Sequence, residues 1–410
     1  MRDSILILGA AALQLPLIKY TKSRGFRVIV VSIPGHYPGF GYADRSIYCD
    51  IRDGEKILSL IKNENIVAVL TDQTDISVPT VAFLCDRLGL HGNSEKIAQI
   101  YSNKNLMRKV CDDIKIPNLR HICVSKIADA KDWDIYPAIL KPEDSQGSRG
   151  VHKVNTFEEL TDVLEHTLSF SYSGVAILEE FFVGNEIVVE GYVQDGKYIN
   201  FGIGDRKYFD LPGMFIPSQT IFPTTINDTL IGKILDNERK IHSHLSPSFG
   251  MIHSEYLVNE QSGEFFLVET ALRGGGVYIS SHLIPLYTNF NNYDLLLQDA
   301  LGNKVDLLSI EQSFIKKSSA YICFALPEGE IISIEGVEDI LNMEECIFFD
   351  HTGLEVGKYI GPMCNKTDRL GPIIVQSTNK QTMDSTISNI QQLLRIVVQG
   401  REGKTHSIIW

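Results

Sequence analysis

Two glutamates in one predicted hairpin are the first residues whose spacing suggests chemistry. Residues 251–258 and 264–270 have the composition of β-strands, and a short polar segment with a glycine separates them. A turn centred on Ser262 would place Glu255 directly opposite Glu269. Facing Cβ atoms lie about 5 Å apart, and like charges at that distance are destabilising. Because no Lys or Arg stands beside either glutamate in the sequence, we predict that a divalent cation bridges them, and oxygen ligands of this kind suit Mg²⁺.

The residues after the hairpin fit the same hypothesis. Arg273 follows Glu269 by four residues, so it would share that strand face if the strand continued. Gly274, Gly275 and Gly276 would let the backbone approach another group closely. Taken alone, however, the segment could equally be an exposed hairpin with solvated acids and a glycine turn.

A lysine and a glycine-rich loop follow another predicted strand. Residues 136–142 end in Lys141-Pro142, and residues 143–150 have the sequence EDSQGSRG. The N–H groups of such a loop can hold phosphate oxygens, and the lysine adds positive charge. The spacing differs from that of a P-loop. Lys104 lies in the first turn of a predicted helix capped by Ser102, where a cation is unfavourable unless it meets solvent or an anionic ligand.

The elements that would position these residues begin with an α/β unit. Strands and helices alternate there, which predicts a parallel, Rossmann-like sheet with right-handed crossovers. The predicted strands and helices are residues 4–8, 26–32, 55–63, 66–71 and 76–88. Residues 9–12 lack the G-x-G-x-x-G pattern, so we assign no NAD site.

The remainder of the chain is predicted to be mixed. Its expected strands and helices are residues 175–182, 186–194, 197–201, 227–245, 283–301 and 380–398. Residues 205–220 contain Pro and Gly and little periodicity, which indicates a long functional loop. Arg206 and Lys207 at its start could cover a phosphate or a carboxylate. From Ser318 onward, short strands and turns indicate a small α+β module.

Composition narrows the class of protein. The chain has 410 residues, enough for several domains, and its formal net charge of −13 argues against a nucleic-acid partner. No apolar run approaches the ~20 residues of a membrane span. The seven cysteines are scattered without metal-binding spacing, which predicts reduced thiols and a cytoplasmic location.

In order and spacing, these pieces resemble the ATP-grasp superfamily over nearly the whole chain. The resemblance is to its carboxylate–amine ligase branch, which includes L-amino acid ligases, biotin carboxylase, the large subunit of carbamoyl-phosphate synthetase and purine enzymes that use formate or glycine. It implies an α/β and α+β multidomain chain with the ATP-grasp fold. The expected domains are a Rossmann-like domain, a lid subdomain, a catalytic subdomain and a small C-terminal α+β domain, at residues 1–100, 101–180, 181–316 and 317–410.

The resemblance also implies a nucleotide site. Its expected ATP-binding residues are Lys104, Lys141, Ser145, Gly147, Ser148, Gly150, Glu179, Glu180, Phe182 and Glu186. The two lysines would hold phosphates under a lid loop at residues 145–150. Glu179 and Glu180 would lie near the adenine amine, and Phe182 would offer its backbone. Glu186 would hold the ribose hydroxyls. Lys104, Glu179 and Glu180 could each instead be a surface charge.

In the same resemblance, Glu255 and Glu269 match the metal-bridging pair. Arg273 matches an arginine that steadies an acyl phosphate or the tetrahedral adduct, so Arg273 and Lys141 are the expected catalytic residues. Further candidates for substrate contact lie beside the hairpin: His253, Gly274 and Gly275. A structural role for the histidine is the alternative.

One position departs from the family pattern. Many members carry Glu-x-Asn at the second metal acid, whereas this chain has Glu269-Thr270-Ala271, so one metal ligand is missing. The small residue favours the L-amino acid ligase branch.

The expected function is therefore ATP-dependent carboxylate–amine ligation through an acyl phosphate, with ATP and Mg²⁺ (or Mn²⁺) as cofactors. The expected partners are small acids and amines, without nucleic acid or membrane, in a chain that could form a homodimer. The alternatives are an enzyme that phosphorylates bicarbonate, of the carboxylase or carbamoyl-phosphate type, and a non-catalytic nucleotide-binding module.

Overall fold

The computed structural model describes residues 3–211, 215–363, 365–401 and 403–410, apart from the side chain of Thr367. Within these residues, four sheets and the helices that cover them make up the predicted α/β and α+β architecture. No helix among them is both long enough and apolar enough to cross a membrane. Six cysteines are free thiols in the described ranges, and Cys364 lies outside those ranges.

The N-terminal sheet is parallel, as the alternation of strands and helices predicted. Its strands, in the spatial order β3-β2-β1-β4, are β1 (Ser4–Leu8), β2 (Arg27–Ser32), β3 (Arg45–Tyr48) and β4 (Ile66–Leu70). The helices are α1 (Leu15–Ser23), α2 (Gly54–Ile61), α3 (Val78–Leu88) and α4 (Glu95–Ile100). The loop that follows β4 carries Asp72 to Asp75 at the carboxyl ends of the strands, the edge where ligands bind in open α/β sheets.

The second unit is antiparallel and carries the predicted lid loop. Its elements are α5 (Lys104–Asp113), β5 (His121–Val124), β6 (Ala138–Pro142), β7 (His152–Val154), α6 (Phe157–Leu168) and β8 (Ala176–Glu180), with the strands in the order β5-β8-β6-β7. Helix α5 is capped by Asn103, whose side chain accepts a hydrogen bond from Leu106 N. The cap predicted at Ser102 is therefore wrong by one residue.

An eight-stranded sheet forms the centre of the molecule. Its first strands are β9 (Asn185–Gln194), β10 (Lys197–Tyr208), β11 (Pro217–Phe222), β12 (Phe249–Asn259) and β13 (Glu264–Ala271). Helix α7 (Asp228–Leu245) lies between β11 and β12 in the chain. Three further helices follow, namely α8 (Ile284–Thr288), α9 (Asn292–Ala300) and α10 (Leu307–Gln312).

The long loop predicted at residues 205–220 is strand at both ends, over residues 205–208 and 217–220. β10 continues to Tyr208 and pairs with β11 from Pro217 onward, while residues 212–214 lie outside the described residues. The strand was missed because Asp205, Arg206 and Lys207 are three consecutive charged residues, so the segment lacks the apolar alternation of a half-buried strand.

The C-terminal segment extends the central sheet and adds a small one. Its elements are β14 (Ser318–Phe324), β15 (Gly329–Glu335), α11 (Val337–Leu341), β16 (Cys346–Phe349), β17 (Tyr359–Ile360), β18 (Leu370–Ser377), α12 (Lys380–Leu393), β19 (Arg395–Gln399) and β20 (Thr405–His406). The central order is β13-β12-β9-β10-β11-β14-β18-β16, and the small sheet is β17-β15-β19-β20. The final helix ends at Leu393, and the residues predicted to continue it form β19, which pairs with β15.

The apolar core lies on both faces of the central sheet. One cluster includes Ile5 and Val28 of the N-terminal sheet together with Tyr192, Phe222 and Tyr321 of the central sheet. The other cluster covers the opposite face, beneath α7 and α5. The N-terminal unit is thus packed against the sheet that carries the two glutamates.

Candidate active site

The two glutamates of the hairpin face each other as predicted. In the antiparallel pairing of β12 with β13, Glu255 is the direct partner of Glu269. A β-bulge follows Glu255 and shifts the register of the remaining pairs. Both carboxylates line the same two adjoining cavities, so their charges are directed at a shared space.

Each carboxylate is accompanied by a cation from a distant part of the chain. Arg206 of β10 donates to Glu255, and its Nη1 also lies 2.5 Å from Glu186 Oε1. Lys104 Nζ lies 3.1 Å from Glu269 Oε2. Burial, followed by the charge of Glu255, raises the pKa of Glu186. Burial alone would raise the pKa of Glu255 too, but the Arg206 guanidinium holds it well below its usual range.

A buried ion triad lies behind the predicted phosphate-binding lysine. Glu179 is 2% exposed and accepts from Arg108 Nε at 2.6 Å, while Lys141 Nζ lies 2.6 Å from its other oxygen. Although burial raises the pKa of Glu179, the charges of Arg108 and Lys141 lower it to about 2. Burial lowers the pKa of Lys141, and Glu179 opposes that shift. The carboxylate predicted to contact adenine therefore binds the lysine and opposes the loss of its proton.

The lid loop joins the lysine of α5 to the site. Lys104 Nζ donates to the Ser145 carbonyl oxygen at 2.9 Å. Gly147 and Ser148 adopt positive φ angles and line the first cavity. The Ser145 hydroxyl is buried and has no hydrogen-bond partner within the described residues. Gly150 lies against Phe170, where a Cβ would approach to 2.8 Å, and it does not line the cavity.

The first cavity has a volume of about 760 Å³ and lies between the lid unit and the central sheet. It brings together nearly all of the predicted nucleotide and metal residues, namely Lys104, Lys141, Ser145, Gly147, Ser148, Glu179, Glu180, Phe182, Glu186, Glu255 and Glu269. Its apolar walls come from Phe182, Val183 and Leu257. A cavity of this size, apolar on one side and lined with cations on the other, can enclose a nucleoside with its phosphates.

The second cavity, of about 530 Å³, opens on the other side of the two glutamates. Arg273 lines it and binds Asp75 of the N-terminal unit through Nε at 2.8 Å and Nη2 at 3.0 Å. Burial opposes protonation of Arg273, but Asp75 raises its pKa. Lys366 and Arg369 line the same cavity from the C-terminal segment. The site is therefore shared by residues from every unit of the chain.

The remaining predicted substrate residues contact protein side chains. His253 is 2% exposed, bonds to Glu190 through Nδ1, and lies 3.3 Å from Glu255 Oε1 through Nε2. Burial lowers the pKa of His253, and Glu190 raises it above its usual value. A Cβ on Gly275 would lie 2.4 Å from Glu190 Oε1, and a Cβ on Gly274 would lie 2.2 Å from a serine side chain. Both glycines thus allow close approach to protein groups, while His253 also reaches the second cavity.

The residues present fit a bridging divalent cation. Two facing carboxylates supply the oxygen ligands that Mg²⁺ prefers. Ala271 pairs with His253 in the hairpin and offers no ligand. Among the described residues, no group of three or more His, Cys, Asp and Glu side chains is placed to hold a metal. The remaining ligands would come from phosphate oxygens and water, which is the usual arrangement for Mg²⁺ at substrate phosphates.

Sequence reasoning missed three charged residues of the site. Asp75 carried a usable signal, because it follows β4 at the ligand-binding edge of a parallel sheet. Arg108 lies one turn after Lys104 on α5, so the two share a helix face. Lys366 had no signal in its own neighbourhood, since a short helical turn of the C-terminal segment brings it to both cavities.

Comparison with known proteins identifies the part of the chain that carries the two glutamates. Residues 135–281 match the family model described as an ATP-grasp domain. The carbamoyl phosphate synthase large chain of Caldanaerobacter subterraneus subsp. tengcongensis is 22% identical over 297 residues, which cover 70% of this chain and 26% of that protein. The alanine–anticapsin ligase of Bacillus subtilis is 25% identical over 315 residues, which cover 68% of this chain and 64% of the ligase.

Similarity to a solved structure extends over the whole chain. The L-amino acid ligase from Bacillus licheniformis superposes with a TM-score of 0.81 at 18% identity, covering 98% of this chain and 100% of that one. At such identity the likeness establishes the fold. The comparisons lead to one conclusion: residues 135–281 match an ATP-grasp domain, and the chain shares the fold of the L-amino acid ligase.

Proposed function

We propose that this protein is an ATP-dependent ligase that joins a carboxylate to an amine through an acyl phosphate and releases ADP and phosphate. One observation carries the proposal: Glu255 and Glu269 face each other at the boundary between two cavities. The cavity on one side is lined with lysines and a glycine loop, and the cavity on the other contains Arg273. Nucleotide and acid would meet at the carboxylate pair. The names of the aligned relatives, an alanine–anticapsin ligase and an L-amino acid ligase, support this class of reaction.

In this proposal, the first cavity holds ATP. Glu180 and the backbone at Phe182 would contact adenine, and Glu186 would bind the ribose hydroxyls. Lys141, which is bound by Glu179, would contact the phosphates. The N–H groups of the lid loop would add further donors. Because phosphoryl transfer depends mainly on positioning and charge neutralisation, these contacts would provide most of the catalysis.

Glu255 and Glu269 would hold Mg²⁺, with Mn²⁺ as an alternative. When bound, the cation would neutralise phosphate charge and orient the β- and γ-phosphates. Lys104 contacts both Glu269 and the carbonyl of Ser145, so it would keep this carboxylate in place when the lid closes. Arg206 would do the same for Glu255.

The second cavity would hold the acid and the amine. A carboxylate oxygen would attack the γ-phosphorus with ADP as the leaving group. The amine would then attack the acyl carbon, lose a proton, and expel phosphate. Arg273 would stabilise the developing oxyanion with the N–H groups that Asp75 does not use. His253 would act structurally, because Glu190 already binds its Nδ1.

We also propose that the partners are small acids and amines, and that the protein is a cytoplasmic homodimer. The free thiols among the described cysteines support that location. Sedimentation of the intact protein would measure the oligomeric state.

The experiment that tests the function measures phosphate release from Mg-ATP with pools of amino acids and small carboxylates, with and without bicarbonate. We expect release that requires an acid and an amine together, with a product whose mass equals their sum less water. Release with bicarbonate alone would establish the carboxylase or carbamoyl-phosphate alternative. Nucleotide binding without release in any pool would favour a non-catalytic module.

A matched pair of variants on one strand tests the carboxylate pair. Glu269→Gln should reduce turnover by about 100-fold or more, because a preorganised charge at the transferring phosphoryl is lost. Glu264→Gln removes an exposed carboxylate at the start of the same strand and should have no effect. Equal activity of the two variants would remove Glu269 from the mechanism.

A further inference from the structure

The lid loop is bonded to the N-terminal unit by one side chain, Gln146. The Asp75 backbone N–H donates to Gln146 Oε1 at 3.0 Å. The Gln146 Nε2 group donates to Thr74 Oγ1 at 3.4 Å. Gln146 also lines both cavities. These contacts join loops 71 and 72 residues apart, across the entrance between the nucleotide cavity and the second cavity.

Asp75, whose backbone N–H donates to Gln146, also binds Arg273 through its side chain. Two nitrogens of Arg273 bind the two oxygens of Asp75, and a third nitrogen, Nη1, donates to the Gly274 carbonyl at 3.1 Å. A guanidinium has five N–H donors in a rigid plane. These bonds use one donor on each nitrogen, so the remaining two N–H groups are held in a defined direction. The backbone of Asp75 is thereby bonded to the lid while its side chain orients the arginine.

The other side of the lid loop is held independently. Lys104 Nζ donates to the Ser145 carbonyl and lies 3.1 Å from Glu269. Adjacent lid residues are therefore bonded to the two halves of the site. Ser145 is joined to the metal carboxylate through Lys104, and Gln146 is joined to Arg273 through Asp75.

We propose that Gln146 is a positioning residue that couples closure of the lid to the orientation of Arg273 through Asp75. When the loop closes, Gln146 stabilises the 74–75 loop in the conformation that presents Arg273 to the second cavity. When the loop opens, that restraint is lost. The consequence for chemistry rests on the proposed ligase function: a closed lid protects an acyl phosphate from water while the amine attacks.

The structural part of this proposal can be tested without any substrate. Arg149 lies exposed in the lid loop, so trypsin cleavage at Arg149 reports opening of the loop. We expect Gln146→Met, which keeps the length of the side chain but removes both hydrogen bonds, to be cleaved about fivefold to thirtyfold faster, the range expected for one to two lost hydrogen bonds. Cleavage at Lys304, in an exposed loop of another unit, is the internal control.

A control variant distinguishes loss of the Gln146 contacts from a general loosening of the unit that carries the lid loop. Thr161→Ala removes an exposed hydroxyl on α6 of the same unit and should leave cleavage at Arg149 unchanged. Equal cleavage of Gln146→Met and the native protein would overturn the proposal, as would equal acceleration at Lys304. Both results are independent of whether the protein is a ligase.

The functional part uses a readout that a merely structural residue would not change. With the acid and amine identified in the phosphate-release assay, the native enzyme should form about one condensed product for each phosphate, as the proposed sequence requires. Gln146→Met should release phosphate in excess of product, because the acyl phosphate is exposed to water. If Gln146→Met is cleaved faster but still forms one product for each phosphate, the Gln146 contacts do not protect the acyl phosphate from water. That result would overturn the proposed coupling.

Discussion

Replacement of Glu179 by Gln gives the sharpest test of how the nucleotide cavity is built. The carboxylate is 2% exposed and binds both Arg108 and Lys141 at 2.6 Å. Arg108 also donates to the Val268 carbonyl of β13 at 3.0 Å. Removing the negative charge leaves two buried cations without their shared counter-ion, and one of them, the guanidinium, cannot lose its proton.

The magnitude follows from the charge balance of the triad. A carboxyl pKa of about 2, in place of its usual 4.5, corresponds to about 3 kcal/mol of stability at neutral pH. Breaking a buried ion pair by removal of one partner costs a similar amount, about 3–5 kcal/mol. We therefore expect the melting transition of the unit that contains this cavity to fall by about 6 °C or more.

The pH dependence has a defined sign. The pKa of Glu179 is lower in the folded state, so its contribution to stability is fully present above pH 4.5 and is lost as the pH falls toward 2. Native protein should lose stability across that window, whereas Glu179→Gln should show a flatter profile there. In the variant, the pKa of Lys141 should fall further, and nucleotide affinity should weaken by about tenfold at neutral pH because a charged phosphate contact is lost.

The assays are thermal melts across pH and calorimetric titration with Mg-ADP. Glu180→Gln is the matched control for the thermal melts alone, because the adjacent carboxylate is more exposed and accepts only from the Arg120 backbone N–H among the described residues. If Glu179→Gln melted and bound nucleotide like the native protein, the assignment of Glu179 to the triad would be refuted.

Three further variants test other parts of the site. Nucleotide binding should weaken as the pH falls and Glu186 takes up a proton, and in Arg206→Met this weakening should occur at a higher pH. The reason is that the pKa of Glu186, already raised by burial, loses the opposing charge of Arg206. Binding titrations from pH 5 to 8 measure this, and an unchanged profile would contradict it. Lys104→Met should weaken Mg-ADP binding by about tenfold, since it removes a charged contact; unchanged affinity would exclude Lys104 from phosphate binding. Gly275→Ala should lower the melting temperature, because its Cβ would lie 2.4 Å from Glu190 Oε1; an unchanged melt would show that the glutamate moves freely.

Local sequence was sufficient for the hairpin and for the strand-and-helix alternation of the N-terminal sheet. Period-two alternation and turn length predicted the facing of Glu255 and Glu269, but the observed pairing also needs the β-bulge between Glu255 and Tyr256, without which Glu255 would face Val268. The Lys141 strand and its glycine loop were found for the same reason. The order of these pieces was also enough to predict the superfamily.

Prediction from local sequence failed where tertiary contacts, and not the hydrophobic periodicity of the segment, decide its secondary structure. Residues 205–208 continue strand β10, yet three consecutive charged residues, Asp205 to Lys207, hide the strand periodicity. The end of the final helix is strand β19, because it pairs with β15 from 60 or more residues earlier. In both segments a non-local pairing decides the conformation.

What the sequence by itself determined about this protein is a set of candidate residues and the elements that carry them: Glu255 and Glu269, Lys141, the glycine-rich loop at residues 145–150 and Arg273. What only the tertiary structure decided is the partner of each charge. Glu179 binds Arg108 across 71 residues, and Arg273 binds Asp75 across 198 residues. The physical reason is that strand and turn preferences act between neighbours along the chain, whereas a buried charge is stabilised by whichever counter-charge packing brings beside it.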